Sequence, residues 1–144
     1  MEGNTGSAND EPQSLLFTWK VENFSRLEAK KMYSETVDLG GYKWRLLVFP
    51  NKDHLSIFLD VAASENLPDN WSVCPLFTLT VVNQIDKRYS VNKDTYHEFN
   101  ERDHDWGFNC FMPLTEVYNP RTGYLVDDTC IIQVEISIGS LFAD

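Results

Sequence analysis

The run NERDHDWGFNCF, Asn100 to Phe111, gathers acids, a histidine, a thiol and aromatics into a dozen residues. Metal binding and thiol catalysis are the two chemistries such a set can do. A zinc site needs four Cys/His ligands, usually in close pairs such as C-x2-4-C or H-x3-5-H. His97 and His104 are seven apart, and Cys110 follows His104 by six, so neither spacing matches. On a strand His104 also points away from Asp103 and Asp105, because side chains alternate. No metal and no cofactor are expected. Thiol catalysis needs a Cys–His pair in hydrogen-bond reach, oriented by a third group. Spacing alone leaves Cys110 with His97 or His104 open as a hydrolase reading. Against it, Cys74, Cys110 and Cys130 lie in or beside apolar runs, where a free cysteine behaves as a small hydrophobe. The sequence holds no G-x-S-x-G, P-loop or G-x-G-x-x-G. The carboxylate pairs Asp103/Asp105 and Asp127-Asp128 suit turns as readily as acid–base work. Trp106, between Asp105 and Gly107, reads equally as a stacking platform for a peptide and as a plug at one end of the fold.

The whole chain narrows these choices. It has 144 residues, enough for one domain, and 42% are hydrophobic, enough for a core. Twelve Lys and Arg against 22 Asp and Glu give a net charge of −10. Such a surface repels phosphate, so neither nucleic acid nor an anionic membrane is an expected partner. A basic or neutral partner suits it better. No apolar run approaches the ~18 residues of a membrane span. The N-terminus carries neither a basic start nor an apolar stretch of signal-peptide type. An odd count of three separated cysteines suits a reducing compartment, so cytoplasm or nucleus is expected.

The elements that must position Asn100–Phe111 are strands. Residues 1–14 are Gly-, Ser-, Asn- and acid-rich and read as a disordered lead-in, with one domain over 15–140 and a tail at 141–144. LFTWKVE alternates Phe17, Trp19 and Val21 against Thr18, Lys20 and Glu22. Ser25 with Glu28 forms a capping-box pattern and predicts a helical turn over Ser25–Lys30. Gly40-Gly41 separates two extended runs, the second with Tyr42, Trp44, Leu46 and Val48 on one face and ending at Pro50. HLSIFLDVAA, CPLFTLTVVNQ, KRYSVNKDT and CIIQVEISI give further strands. Pro113–Tyr118 suits a helical turn with Pro113 at its first position. About eight short strands and one or two short helical turns predict an all-β, eight-stranded antiparallel β-sandwich.

These residues resemble a known family. FTWKVENFSRL, GGYKWRLLVFP, LSIFLDVA, Trp71-Ser72, DWGFNCFMPLTEV, GYLVDDT and CIIQVEI, in that order from Leu15 to about Ile138, are similar to the MATH (meprin and TRAF homology, TRAF-like) domain. Within it they look most like the plant type, including the domain at the front of plant ubiquitin-specific proteases. The resemblance implies an eight-stranded sandwich without catalysis of its own, binding a short linear peptide as an added strand. It implies that Asp105 and Trp106 contact the peptide, that Gly107, Phe108 and Asn109 supply the strand edge, and that Phe58 lines the groove. Two groove positions depart from the deubiquitinase type of the family: Asn51 stands where that type has a basic residue, and Cys110 where it has a groove-edge asparagine. A partner or substrate role in the ubiquitin system follows as an expectation, with the isolated domain a monomer. An oligomerising scaffold and the Cys110 hydrolase are the alternatives.

Overall fold

The computed structural model describes residues 12–28 and 30–139. Two antiparallel sheets face each other across one apolar core. In the first, β1 (Gln13–Val21), β12 (Thr129–Ile138), β7 (Leu76–Val81) and β8 (Val91–Tyr96) lie side by side, with β11 (Leu125–Val126) folded onto β12. In the second, the order is β10 (Asp105–Pro113), β5 (His54–Ala62), β4 (Tyr42–Asn51) and β2 (Met32–Tyr33), with β3 (Val37–Leu39) also on β4. A ribbon of β6 (Ser72–Val73) and β9 (Phe99–Asn100) closes one end. Met32 pairs with Val48 and Val37 with Trp44, so β2 and β3 act as one interrupted strand along β4. Counted so, and setting aside the two-residue β11 and the β6–β9 ribbon, four main strands face four, the expected eight-stranded sandwich.

Alternation builds the core. Trp44, Leu46 and Val48 of β4, Leu55, Ile57, Leu59 and Val61 of β5, and Ile132, Val134 and Ile136 of β12 are all buried. Each such side chain contributes roughly 1.5–3 kcal/mol by leaving water. Gly40 and Gly41, at φ +66° and +88°, make the tight β3–β4 turn that needs two positive φ values.

Several local expectations change. β1 starts at Gln13, so two residues of the expected lead-in are in strand. The remainder of that lead-in up to residue 11 and the 141–144 tail lie outside the described residues. The capping box does not form. Only a 3-10 turn, Phe24–Arg26, follows Asn23, and both the amide and the hydroxyl of Ser25 donate to the Asp128 carboxylate (3.0 and 2.8 Å). Asp127-Asp128 is thus a turn at positive φ that anchors a distant loop, not an acid–base pair. β4 runs through Pro50 to Asn51, since β2 has ended opposite Val48 and leaves one side of β4 unpaired there. Pro113 ends β10 and caps α1 (Leu114–Tyr118) rather than opening it. No described helix is long and apolar enough to cross a membrane.

Candidate functional site

β10 carries DWGFNCFMP and pairs on one side only, with β5, so its other side is a free edge among the described residues. Register assigns the faces. Asp105 lies opposite Asp60 and Gly107 opposite Phe58, on the outer face. Trp106 lies opposite Leu59 and Phe108 opposite Ile57, on the core side. From Phe108 to Met112 β10 takes four steps, while β5 takes two from Ile57 to Leu55. The excess is a bulge, pinned where the Ser56 hydroxyl donates to the Asn109 carbonyl (2.7 Å). Asn109 and Cys110 are exposed on it.

Gly107 packs directly against the backbone of β5. A Cβ there would overlap the Ile57 carbonyl oxygen and come within 2.6 Å of Phe58 Cα. The missing side chain therefore lets β10 close on β5.

Trp106 stands at the open seam between the edges of β10 and β8. It is 44% exposed, so it is no plug. Its ring lies flat on His97 (centroids 4.3 Å, planes 2° apart), and its indole N–H donates to Thr95 Oγ1 at 3.3 Å. His97 in turn meets the buried Phe99 edge-on, and Phe99 meets the buried Trp44. A column of rings thus ties an exposed indole to the core. One step along, Lys93 places its ammonium 5.5 and 5.1 Å from the Phe108 and Phe111 rings. Lys93 and His97 escaped prediction because β8 reads as a polar strand and only the packing of the two sheets brings it to β10.

On the outer face a row of charges crosses three strands. Arg45 of β4 donates from Nε to Asp60 of β5 (2.7 Å), and Asp60's other oxygen meets His104 Nδ1 at 2.8 Å. The Arg45 guanidinium lies 3.9 Å over the Tyr33 ring. Asp60 is 2% exposed, and each oxygen of this buried carboxylate has a partner, with Arg45 supplying the opposite charge. His104, for which the sequence offers no role, fixes the start of β10: its carbonyl accepts from Val61 N (2.9 Å) as its ring holds Asp60. Asp60, His104 and Asp105 bring ligand atoms within 4.8 Å of one another. Arg45 and His104 occupy both Asp60 oxygens, so the set is spent on an ion pair rather than arranged as a cation cage.

Register therefore gathers Asp105, Gly107 and Phe58 on one face, and Trp106 and Phe108 on the other side of the same edge. Phe58 stacks on Phe49 (6.0 Å, 13°). Asn51 pairs with His54, six residues down β5 from Asp60, roughly 20 Å away at strand rise. Only a peptide running the length of the sheet reaches it. Cys110 makes no hydrogen bond among the described residues, and both candidate histidines are committed elsewhere, His97 to Asp103 O (3.2 Å) and His104 to Asp60. No Cys–His couple is assembled. Cys130 is fully buried, and burial pushes its thiol up to about 12.

Comparison with known proteins agrees with this architecture. The MATH domain family model matches residues 16–136. Ubiquitin C-terminal hydrolases 13 and 12 of Arabidopsis thaliana are 52% and 51% identical over 132 residues, 90% of this chain and 12% of each of theirs. The chain thus spans about an eighth of those relatives. A MATH domain and coiled-coil domain-containing protein of the same plant is 42% identical over 135 residues, covering 90% of this chain and 45% of that one. The chain belongs to the MATH domain family, and is a protein-interaction module with no catalysis of its own.

Proposed function

We propose that this module binds a short extended peptide as an added strand on the free edge of β10, and so recruits partners or substrates in the ubiquitin system. The observation that carries it is the edge itself. Asp105 and Trp106 are adjacent there, one on each face, with Trp106 exposed and held flat by His97. A strand laid beside β10 alternates its side chains, so it meets the Asp105 carboxylate and the Trp106 ring in turn. The Asp105 carboxylate makes no ion pair or hydrogen bond among the described residues and offers an acceptor to a serine hydroxyl. The bulge at Asn109–Cys110 and the charge at Asp105 guard the edge against pairing with a second copy, which favours a monomer. The hydrolase relatives support the ubiquitin setting, and three unpaired thiols support the cytoplasm or nucleus.

Affinity is on the order of micromolar, because a short flexible peptide loses entropy on ordering. Titration of serine-containing peptides into the 15N-labelled domain tests this. Shifts centred on Phe58 and Trp106–Cys110 are expected; shifts that avoid both would sink the proposal.

A further inference from the structure

Lys93 is the one charge that β8 turns inward. It lies opposite Leu79, which is fully buried, so its side chain starts on the core side of the strand. A lysine is seldom placed so, because its ammonium must keep water or find a partner. Here the stem crosses the seam, and the ammonium rests over the rings of Phe108 and Phe111 on β10. Ring faces attract a cation but leave its charge without a counter-ion. The ion pairs among the described residues take Lys43, Arg45, Arg88 and His104 as their cations, and none takes Lys93. Its neighbour Asp94 is turned to the opposite face and accepts from Thr78 Oγ1 (2.8 Å). The half-buried Lys93 therefore brings an unmatched positive charge to the edge on which the peptide is laid.

The ladder sets which peptide residue meets that charge. Residues directly opposite each other on paired strands share a face. A serine opposite Asp105 faces outward, so residues at odd distances from it face the seam. Phe108 is three positions after Asp105 and is the last regularly paired residue before the bulge. The third peptide residue from the serine, in the direction of Phe108, therefore projects toward the Lys93 ammonium.

We propose that Lys93 selects an acidic side chain at that third position. The favoured segment then holds a serine and a glutamate or aspartate three residues apart, the one turned outward to Asp105 and the other inward to Lys93. The assignment rests on the peptide reading above and gives it a partner class. The net charge of −10 disfavours acidic segments in general. At the third position contact wins, because salt screens charges beyond roughly 10 Å far more than a pair in contact. An acid opposite Asp105 has the reverse outcome, since like charges directly opposite each other repel.

A serine peptide with neutral flanks is compared by fluorescence anisotropy with versions carrying glutamate at each position in turn, each beside its glutamine control. The proteins are the 144-residue chain, Lys93→Met, which keeps a stem over the rings without the charge, and Lys93→Glu. Dispersed 15N spectra establish that each variant is folded. At the third position on one side of the serine, glutamate binds the native chain about three- to fivefold tighter than glutamine, and nowhere else does it gain. That ratio falls to about one in Lys93→Met and inverts in Lys93→Glu. Each ratio is taken within one protein, so a general loss of affinity in a variant cancels. A gain that survives in Lys93→Met, or a serine peptide that binds while glutamate improves it at no position, overturns the role of Lys93. Lys93 is then an inward charge that merely blunts the β8 edge, and the β10 reading stands. Failure of every peptide to bind overturns both together.

Discussion

Gly107 lies so close to β5 that a Cβ would overlap the Ile57 carbonyl oxygen and approach Phe58 Cα to 2.6 Å. Both are backbone atoms and cannot swing away as a side-chain tip would. Gly107→Ala must therefore push β10 outward or strain it, at a cost of about 1–3 kcal/mol. Thermal unfolding should shift down by several degrees for a domain of this size. Peptide binding should weaken too, since Asp105 and Trp106 move with the strand. An unchanged melting temperature would mean that β10 has room the geometry denies it.

Much of this was legible from alternation. The core faces of β1, β4, β5, β7 and β12 follow directly from residues spaced two apart, and DWGF was placed on a strand. What stayed hidden was lateral. Asp60 and Asp105 are 45 positions apart in sequence, and only the register of β5 against β10 makes them neighbours. His104 seemed idle because its partner is on another strand. Ser25 and Glu28 match a local capping pattern, but Asp128, more than a hundred residues away, accepts the Ser25 amide proton that Glu28 would take and the Ser25 hydroxyl proton as well. Two readings of Trp106 stay open in the sequence because its exposure belongs to the packing of β8 on β10. The contact of Gly107 with Ile57 and Phe58 likewise comes from register, not from its neighbours in sequence.

The stack of Trp106 on His97 holds the indole ready without help from a ligand. Trp106→Ala should leave stability within about 1 kcal/mol, as expected of an exposed site. It should weaken peptide binding at least 10-fold, as removal of an exposed aromatic anchor does. His97→Ala touches no ligand directly, yet it frees the ring to rotate. A loss of several-fold in affinity is expected, with Trp106 more readily quenched by acrylamide. Equal affinity in His97→Ala would show that the stack is incidental.

Asp60 sits between Arg45 and His104 with almost no access to water. Removing Arg45 strands the buried Asp60 carboxylate, and removing Asp60 leaves the half-buried Arg45 guanidinium without its partner. Arg45→Ala and Asp60→Ala should each cost about 3 kcal/mol by urea unfolding. The double variant should cost less than the sum, because the second removal relieves the charge left by the first. Strict additivity would show that the two side chains do not interact.

Cys130 provides a test in which pH sets the direction. Burial raises its thiol from an ordinary value of 9.0 to about 12 in the fold. The folded state thus holds this proton more tightly than the unfolded chain does. The resulting stability is complete below pH 9 and is lost as pH climbs toward 12. Between those values the melting temperature of the native chain should fall more steeply than that of Cys130→Ala, whose cavity lowers the baseline but removes the slope. Reactivity follows the same physics, since the thiolate is the nucleophile. Iodoacetamide at pH 8 should add to the exposed Cys74 and Cys110 and spare Cys130 until urea unfolds the domain. Intact mass then shows two adducts on the folded chain and three on the unfolded one. Three adducts on the folded chain, or parallel pH curves for the two proteins, would mean that Cys130 is not sealed in the core.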